Sequence, residues 1–366
     1  MIKRIILPAL FVLLSIAVRA DAFYDGPKQI PVPSTEGQKA LIKEGVALHD
    51  KGEYDAAIKK YAEVLAENPS DVAALYELSY TLAAKKEYQK SIETARKGTQ
   101  YTSELLDQFY LVIANDLDDM GQRDKAISAY REGLAISPGN FLLHYNLALV
   151  YDKQQKWDEA RKELKTAAML NPMHASSQLL LAVEFSRSKF RVPSLLAAAR
   201  FLVLEPNSSR SDQALAIMQQ ALSAGVGPGD KPGNISIMTD PNSNKEEGDF
   251  ASAELVLQIS RVAGSLGKKD NQGKKSEGEV QVHQWNVFLS VFAENPDKKK
   301  HPEFVFNYYV PYFLEMNKRG FVEPFVYHIL QKSGTAGVTE WLAANQIKLD
   351  QFLEWSKQYN WPKRNP

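Results

Sequence analysis

Residues Leu147–Pro172 read LALVYDKQQKWDEARKELKTAAMLNP, and their spacing decides the fold. Ala148 and Tyr151 share one helical face, and Ala160 and Leu164, four residues apart, share another. Pro172 ends the second helix, because proline lacks an amide donor and disfavours helical geometry in the residue before it. The same ending recurs outward from this stretch. Pro138, Pro172 and Pro206 stand 34 residues apart, and Pro69 precedes Pro138 by two such periods plus one residue, with Ser103 in the place of the missing proline. Twelve residues before each closing residue lies a small one: Ala57, Ser91, Ala126, Ala160 and Ser194. A second small series, Gly45, Ser79, Ala114, Ala148 and Ala182, falls on the preceding helices. Two short helices that cross closely need small residues where their axes approach. The pattern predicts five helix-turn-helix units.

These residues resemble the tetratricopeptide repeat family over about residues 38–222. The copies with the fullest pattern are Gly45 to Pro69, with Gly52, Glu53, Tyr54, Ala57 and Tyr61, and Leu147 to Pro172, with Ala148, Tyr151, Trp157, Ala160 and Leu164. The second unit departs most, with Ala95 for an aromatic and Ser103 for proline. The resemblance implies an all-α solenoid, a continuous core and a concave groove that binds a protein or peptide partner. Ser211 to Ser223 is expected to cap the stack with a polar outer face.

Groove positions project from the register onto Tyr76, Tyr80, Asn115, Asp118, Tyr145, Asp152 and Arg187, among aliphatics such as Leu111, Leu149 and Val183. Tyrosine offers a large rigid contact and a hydroxyl, which suits recognition. Co-chaperone members of the family clamp a C-terminal carboxylate with asparagines and cations. Asn115 and Asn146 resemble those asparagines, but Leu111, Ser176 and Leu180 stand where the cations belong. Without charge the carboxylate has no strong partner, so chaperone-tail binding is not expected.

The termini of this pattern carry other signals. Lys3 and Arg4, the apolar run Ile5 to Val18 and the short side chains around Ala20 and Ala22 form a secretory leader, cleaved after Ala20 or Ala22. The mature chain is then expected in a periplasm or outside the cell, without a stable membrane span. Residues 21–37 read as an extended segment and 223–248, rich in Gly and Pro, as a linker. Residues 249–366 read as a second helical domain with a mobile loop near 267–279. In that domain Leu255, Ile259, Val262 and Leu266 are expected to form one apolar face, and Pro311 to kink or break a helix over 302–318. Four of the five tryptophans lie beyond residue 280, which predicts a separate aromatic core there.

Composition excludes several chemistries. With 44 basic and 44 acidic residues there is no charge bias toward nucleic acid. The absence of cysteine removes disulfides, thiolate metal sites, cysteine nucleophiles and lipoprotein anchoring. The six histidines form no i,i+3 or i,i+4 pair, so no metal site is expected. Gly273-Lys274-Lys275-Ser276 lacks the spacing of a phosphate loop, and Ser186-Arg187-Ser188-Lys189 lacks partner motifs. No catalytic residue and no cofactor are expected. The competing reading is an enzyme or small-ligand pocket in the C-terminal domain, built on Trp285, Tyr308, Tyr309, Tyr312, His328 and Trp341.

Overall fold

In a computed structural model, residues 26–27, 29–228, 235–237, 246–266, 276–294 and 303–362 are described. The expected leader lies outside them. Five antiparallel helix pairs follow the predicted period: α1 (Glu36–Asp50) with α2 (Tyr54–Glu67), α3 (Val72–Ala84) with α4 (Tyr88–Gly98), α5 (Leu106–Asp119) with α6 (Arg123–Ile136), α7 (Phe141–Lys153) with α8 (Trp157–Leu170), and α9 (Ala175–Arg187) with α10 (Arg191–Leu204). Helix α11 (Ser211–Ser223) ends the stack, exposing Asp212, Gln213, Gln219 and Gln220.

The turn inside each pair repeats at the level of the backbone. One residue per turn is left-handed: Gly52 (φ 79°), Lys86 (64°), Gly121 (75°), Gln155 (59°) and Lys189 (61°). Glycine tolerates this conformation; the three longer side chains are held in it by the helices on either side. At the first helix crossing Gly45 is obligatory, since a Cβ there would lie 2.4 Å from the Tyr61 ring. In the irregular second unit the aromatic comes from the next unit instead. The buried Phe109 ring covers Gly98, where a Cβ would lie 2.2 Å away.

The segment before α1 is an extended strap. The Thr35 hydroxyl accepts from the Gln38 amide (3.3 Å) and Gln38 Oε1 accepts from the Thr35 amide (3.0 Å), a reciprocal cap. Upstream, the Val32 amide donates to Ser70 Oγ (2.9 Å), and the Thr102 amide donates to the Gln29 carbonyl (2.8 Å). The strap thus touches the turns that follow the first and second units.

Successive first helices approach one another, as α1 with α3, α3 with α5, α5 with α7 and α9 with α11. No pair of successive second helices comes as close, so the first helices line the inside of the curve.

Beyond α11 the chain continues as a two-stranded antiparallel ribbon, β1 (Val226–Pro228) with β2 (Ile235–Ile237), and then as α12 (Ala251–Leu266), α13 (Glu277–Glu294), α14 (Phe304–Lys318), α15 (Val322–Ile329), α16 (Val338–Ala344) and α17 (Gln346–Gln358). Several expectations change here. The ribbon falls within the expected linker, and Glu246 and Glu247 at its end pair with Arg161 (3.7 Å) and Lys165 of α8. Of the loop expected at 267–279, residues 267–275 lie outside the described residues. Its last three residues begin α13, because Ser276 and Glu279 cap each other: the Glu279 amide donates to Ser276 Oγ (3.2 Å) and the Ser276 amide to Glu279 Oε2 (2.7 Å). Helix α12 buries Phe250, Ala253, Leu257 and Ser260, while Leu255 and Ile259 remain 38% and 49% exposed. Both sets have helical spacing. The set with Phe250, the residue just before the helix, faces inward because its ring stacks there on Phe306 (4.6 Å). Helix α14 runs unbroken through Pro311, held by the buried Tyr308, Tyr309, Tyr312 and Phe313 around it.

The aromatic core is not confined to the C-terminal helices; it is shared with the outer side of the last repeats. Helix α10 is apolar nearly all round and buried from Val192 to Val203. Its Arg200 is fully buried between the rings of Tyr312 (5.1 Å) and Trp361 (4.7 Å) and donates to Ser356 Oγ (3.1 Å). Gln178 of α9 accepts from the Tyr309 hydroxyl (2.5 Å), and the Tyr308 hydroxyl donates to the Ala168 carbonyl (2.7 Å). His328 Nε2 donates to the Val203 carbonyl (3.1 Å), and burial holds its pKa below the ordinary value. Buried polar groups need partners, and here the partners lie across the junction. The docking is therefore directional as well as apolar.

Candidate peptide groove

The inner face is built from positions fixed by the small residue of each first helix. The seven residues projected onto that face fall into three clusters rather than one continuous strip.

At the N-terminal end, Tyr76 and Tyr80 stack at 6.1 Å, one helical turn apart on α3. His49 of α1 stacks on Tyr80 at 5.1 Å and is fixed by a 2.9 Å hydrogen bond between its Nδ1 and Thr81 Oγ1. Tyr76 also meets Phe109 edge-on (5.9 Å) and is half-buried, whereas Tyr80 is 48% exposed. Burial pushes the Tyr76 hydroxyl above its ordinary pKa, and the Glu77 carboxylate adds to the effect.

In the centre, Asn115 and Asn146 serve each other. Asn115 Oδ1 accepts from Asn146 Nδ2 (2.9 Å) and from the Tyr130 hydroxyl (2.5 Å). These two asparagines thus knit the third unit to the fourth. Tyr145, half-buried, packs edge-on against His174 (4.8 Å), whose pKa burial lowers with help from the Arg210 charge.

At the C-terminal end, charges form rails between units. Lys153 Nζ donates to Asp118 Oδ2 (2.5 Å) and Arg187 to Asp152 Oδ1 (2.5 Å), each across 35 residues. Arg187 also donates to Glu184 Oε1 (2.5 Å) and lies over the Trp157 ring at 5.6 Å. Glu184 is fully buried; burial lifts its carboxyl to about 7, with the Arg187 charge opposing and Asp152 adding repulsion. Two acids share one guanidinium, so the inner of them keeps its proton most readily.

Among the described residues, every hydrogen bond, ion pair and ring contact of the seven stays within the repeats. Sequence reasoning missed His49, Glu77, Lys153, Glu184 and Trp157. The rails were readable as an acid four residues, and a cation five residues, after the small residue of successive units. The residues proposed for a C-terminal pocket are spent on packing. Trp285, Tyr308, Tyr309, Tyr312 and His328 are buried, and Trp341 stacks on Tyr327 at 4.3 Å. Among the described residues no group of histidines and carboxylates could hold a metal, and no helix is long and apolar enough to cross a membrane.

Parts of the chain are similar to known proteins. Residues 42–101 and residues 119–183 each match a tetratricopeptide-repeat family model. Protein bimA of Emericella nidulans is 28% identical over 95 residues, 25% of this chain and only 11% of that protein's length. Among solved structures, a MamA RS-1 double mutant is 17% identical with a TM-score of 0.41, covering 47% of this chain and 97% of its own. Pseudomonas aeruginosa pilF is 18% identical with a TM-score of 0.42, covering 51% and 89%. YrrB, described as a TPR protein with an unusual peptide-binding site, is 16% identical with a TM-score of 0.39, covering 49% and 90%. Residues 42–101 and 119–183 of this chain thus carry tetratricopeptide repeats.

Proposed function

We propose that the protein is an interaction scaffold that holds a peptide or helix of a partner protein along the inner face of α1, α3, α5, α7 and α9. The observation that carries this reading is the contrast between the faces. The C-terminal helices cover the outer side of α8 and α10, while the inner side keeps the exposed ring of Tyr80, the half-buried Tyr76 and Tyr145, and the charged rails. Rigid tyrosines on a curved helical surface give contact area with little loss of side-chain freedom.

The test is recovery of partners from the native host by the full chain and by a Tyr76→Ala, Tyr145→Ala double variant. Loss of a partner from the variant, with helical content unchanged by circular dichroism, supports the groove. Equal recovery refutes it. In the same reading the activity lies outside the cytoplasm, which the leader-like first residues support. Mass spectrometry of the mature N-terminus decides that point: a chain still starting at Met1 would exclude cleavage.

A further inference from the structure

We propose that the N-terminal end of the groove is a subsite for a cationic side chain, arginine or lysine, of the bound peptide. This rests on the groove reading above and names the chemistry of one position in it. Three observations carry it.

The first is the uneven matching of charge along the inner face. In the third to fifth units each acid that follows the small residue by four meets a cation from the next unit: Asp118 meets Lys153, and Asp152 meets Arg187. Lys153 and Arg187 stand five residues after Ala148 and Ala182. In the second unit that position, five after Ser79, is Ala84, which is exposed. In the first unit the position four after Gly45 is His49 rather than an acid, so the rail pairing is absent between the first two units, and the acids there, Asp50 and Glu77, stand five after Gly45 and two before Ser79. Neither acid forms an ion pair among the described residues.

The second is that Glu77 is half-buried with a like charge beside it. Burial raises its pKa and the Asp50 carboxylate raises it further. Holding a carboxylate there costs free energy in the empty groove, and a cation placed between the two acids recovers it.

The third is the aromatic wall. His49, Tyr80 and Tyr76 form a stacked row next to Glu77, with the Tyr80 ring 48% exposed. Ring faces attract cations, and a guanidinium also stacks on them. Acid plus ring faces, with the chain's own cation missing, fits an arginine or lysine better than an apolar anchor, which would leave Glu77 buried and unmatched.

The experiment selects displayed random peptides, about twelve residues long, on the full chain. The strongest binder is resynthesised with each arginine replaced by citrulline and each lysine by acetyl-lysine, which keep shape and remove charge. One replacement is expected to weaken binding at least about tenfold. Glu77→Gln is expected to erase that discrimination, and so is Ala84→Lys, which supplies the missing rail cation from an exposed site. Ala84→Lys, at an exposed position, is expected to leave the affinity for the neutral peptide unchanged. Binding lost in the Tyr76→Ala, Tyr145→Ala variant, with no charge replacement mattering, overturns this inference alone. Discrimination that survives both Glu77→Gln and Ala84→Lys also overturns it. Binding that the double tyrosine variant leaves intact overturns the groove reading, and this inference with it.

Discussion

Helices α8 and α10 on the outer side, and α3 and α5 on the inner side, belong to the same repeat pattern but live in different surroundings. The outer pair is sealed by the chain's own C-terminal helices, through Arg200 of α10, the Ala168 carbonyl of α8 and the tyrosines of α14. The inner pair presents Tyr76, Tyr80, Leu111 and Asn115 only to neighbouring repeats among the described residues. One fold rule thus produces a surface covered by the chain's own helices on one side and, among the described residues, an uncovered surface on the other. What separates them is whether the remainder of the chain brings complementary groups. A helix that is apolar all round, such as α10, must be covered on every side, whereas a striped helix can leave a face free.

The largest effect that would break this contrast is at Arg200. Arg200→Ala removes a buried cation from between two rings and leaves a cavity among Tyr312, Ser356 and Trp361. A loss of about 3–5 kcal/mol is expected by chemical denaturation. A loss below about 1 kcal/mol would mean that the outer face is not sealed there. Tyr309→Phe comes next. It strips the donor from Gln178 Oε1 at a buried junction, and an unmatched buried acceptor costs about 1–3 kcal/mol.

A third change tests the inner face through pH. The Glu184 carboxyl, at about 7 when folded against an ordinary 4.5, holds its proton in the folded chain after the unfolded chain has released it. Its contribution is fully present below about pH 4.5 and is lost as pH rises to about 7. Glu184→Gln is expected to flatten that fall, raising stability at pH 8 relative to pH 4.5 by about 1–3 kcal/mol compared with the parent chain. Denaturation midpoints that change equally with pH in both chains would show that Glu184 ionises freely. The smallest effect is at Tyr80. Tyr80→Ala, at an exposed position, is expected to shift stability by no more than about 0.5 kcal/mol. The same substitution should weaken peptide binding, which would separate the inner surface from the core most sharply.

The period of 34 residues made the repeats legible, because each small residue marks a helix crossing and each proline an ending. The helices that carry the projected groove residues were legible for the same reason, since the register fixes where each first helix begins and ends. Their connections were not, as Asp118 pairs with Lys153 across a distance in sequence that only stacking brings together. The docking of the C-terminal helices was hidden by Arg200. A lone arginine reads as a solvated residue until two rings and a serine from more than a hundred residues away close over it. The composition of α10 carried the warning: Leu195, Leu196, Phe201 and Leu202 leave no side for water. At α12 two sets of residues had equal helical spacing, and only the position of Phe250 and Phe306 chose between them.

The strap before α1 has a consequence for how the array comes apart. A stack of repeats held only by nearest neighbours frays from its ends, where each unit has lost one partner. Here Val32 and Gln29 tie the first unit to the turns that follow it and the second, while Arg200 and Gln178 tie the fifth unit, and the Ala168 carbonyl the fourth, to the C-terminal helices. Both terminal units are therefore fastened to something other than their stacking neighbour. Opening is displaced from the ends toward the middle, where α5, α6 and α7 depend on stacking and side-chain rails alone. Amide exchange should then be fastest in the central unit, the reverse of an untied array, so that a ligand spanning the groove would bridge the segment most prone to open.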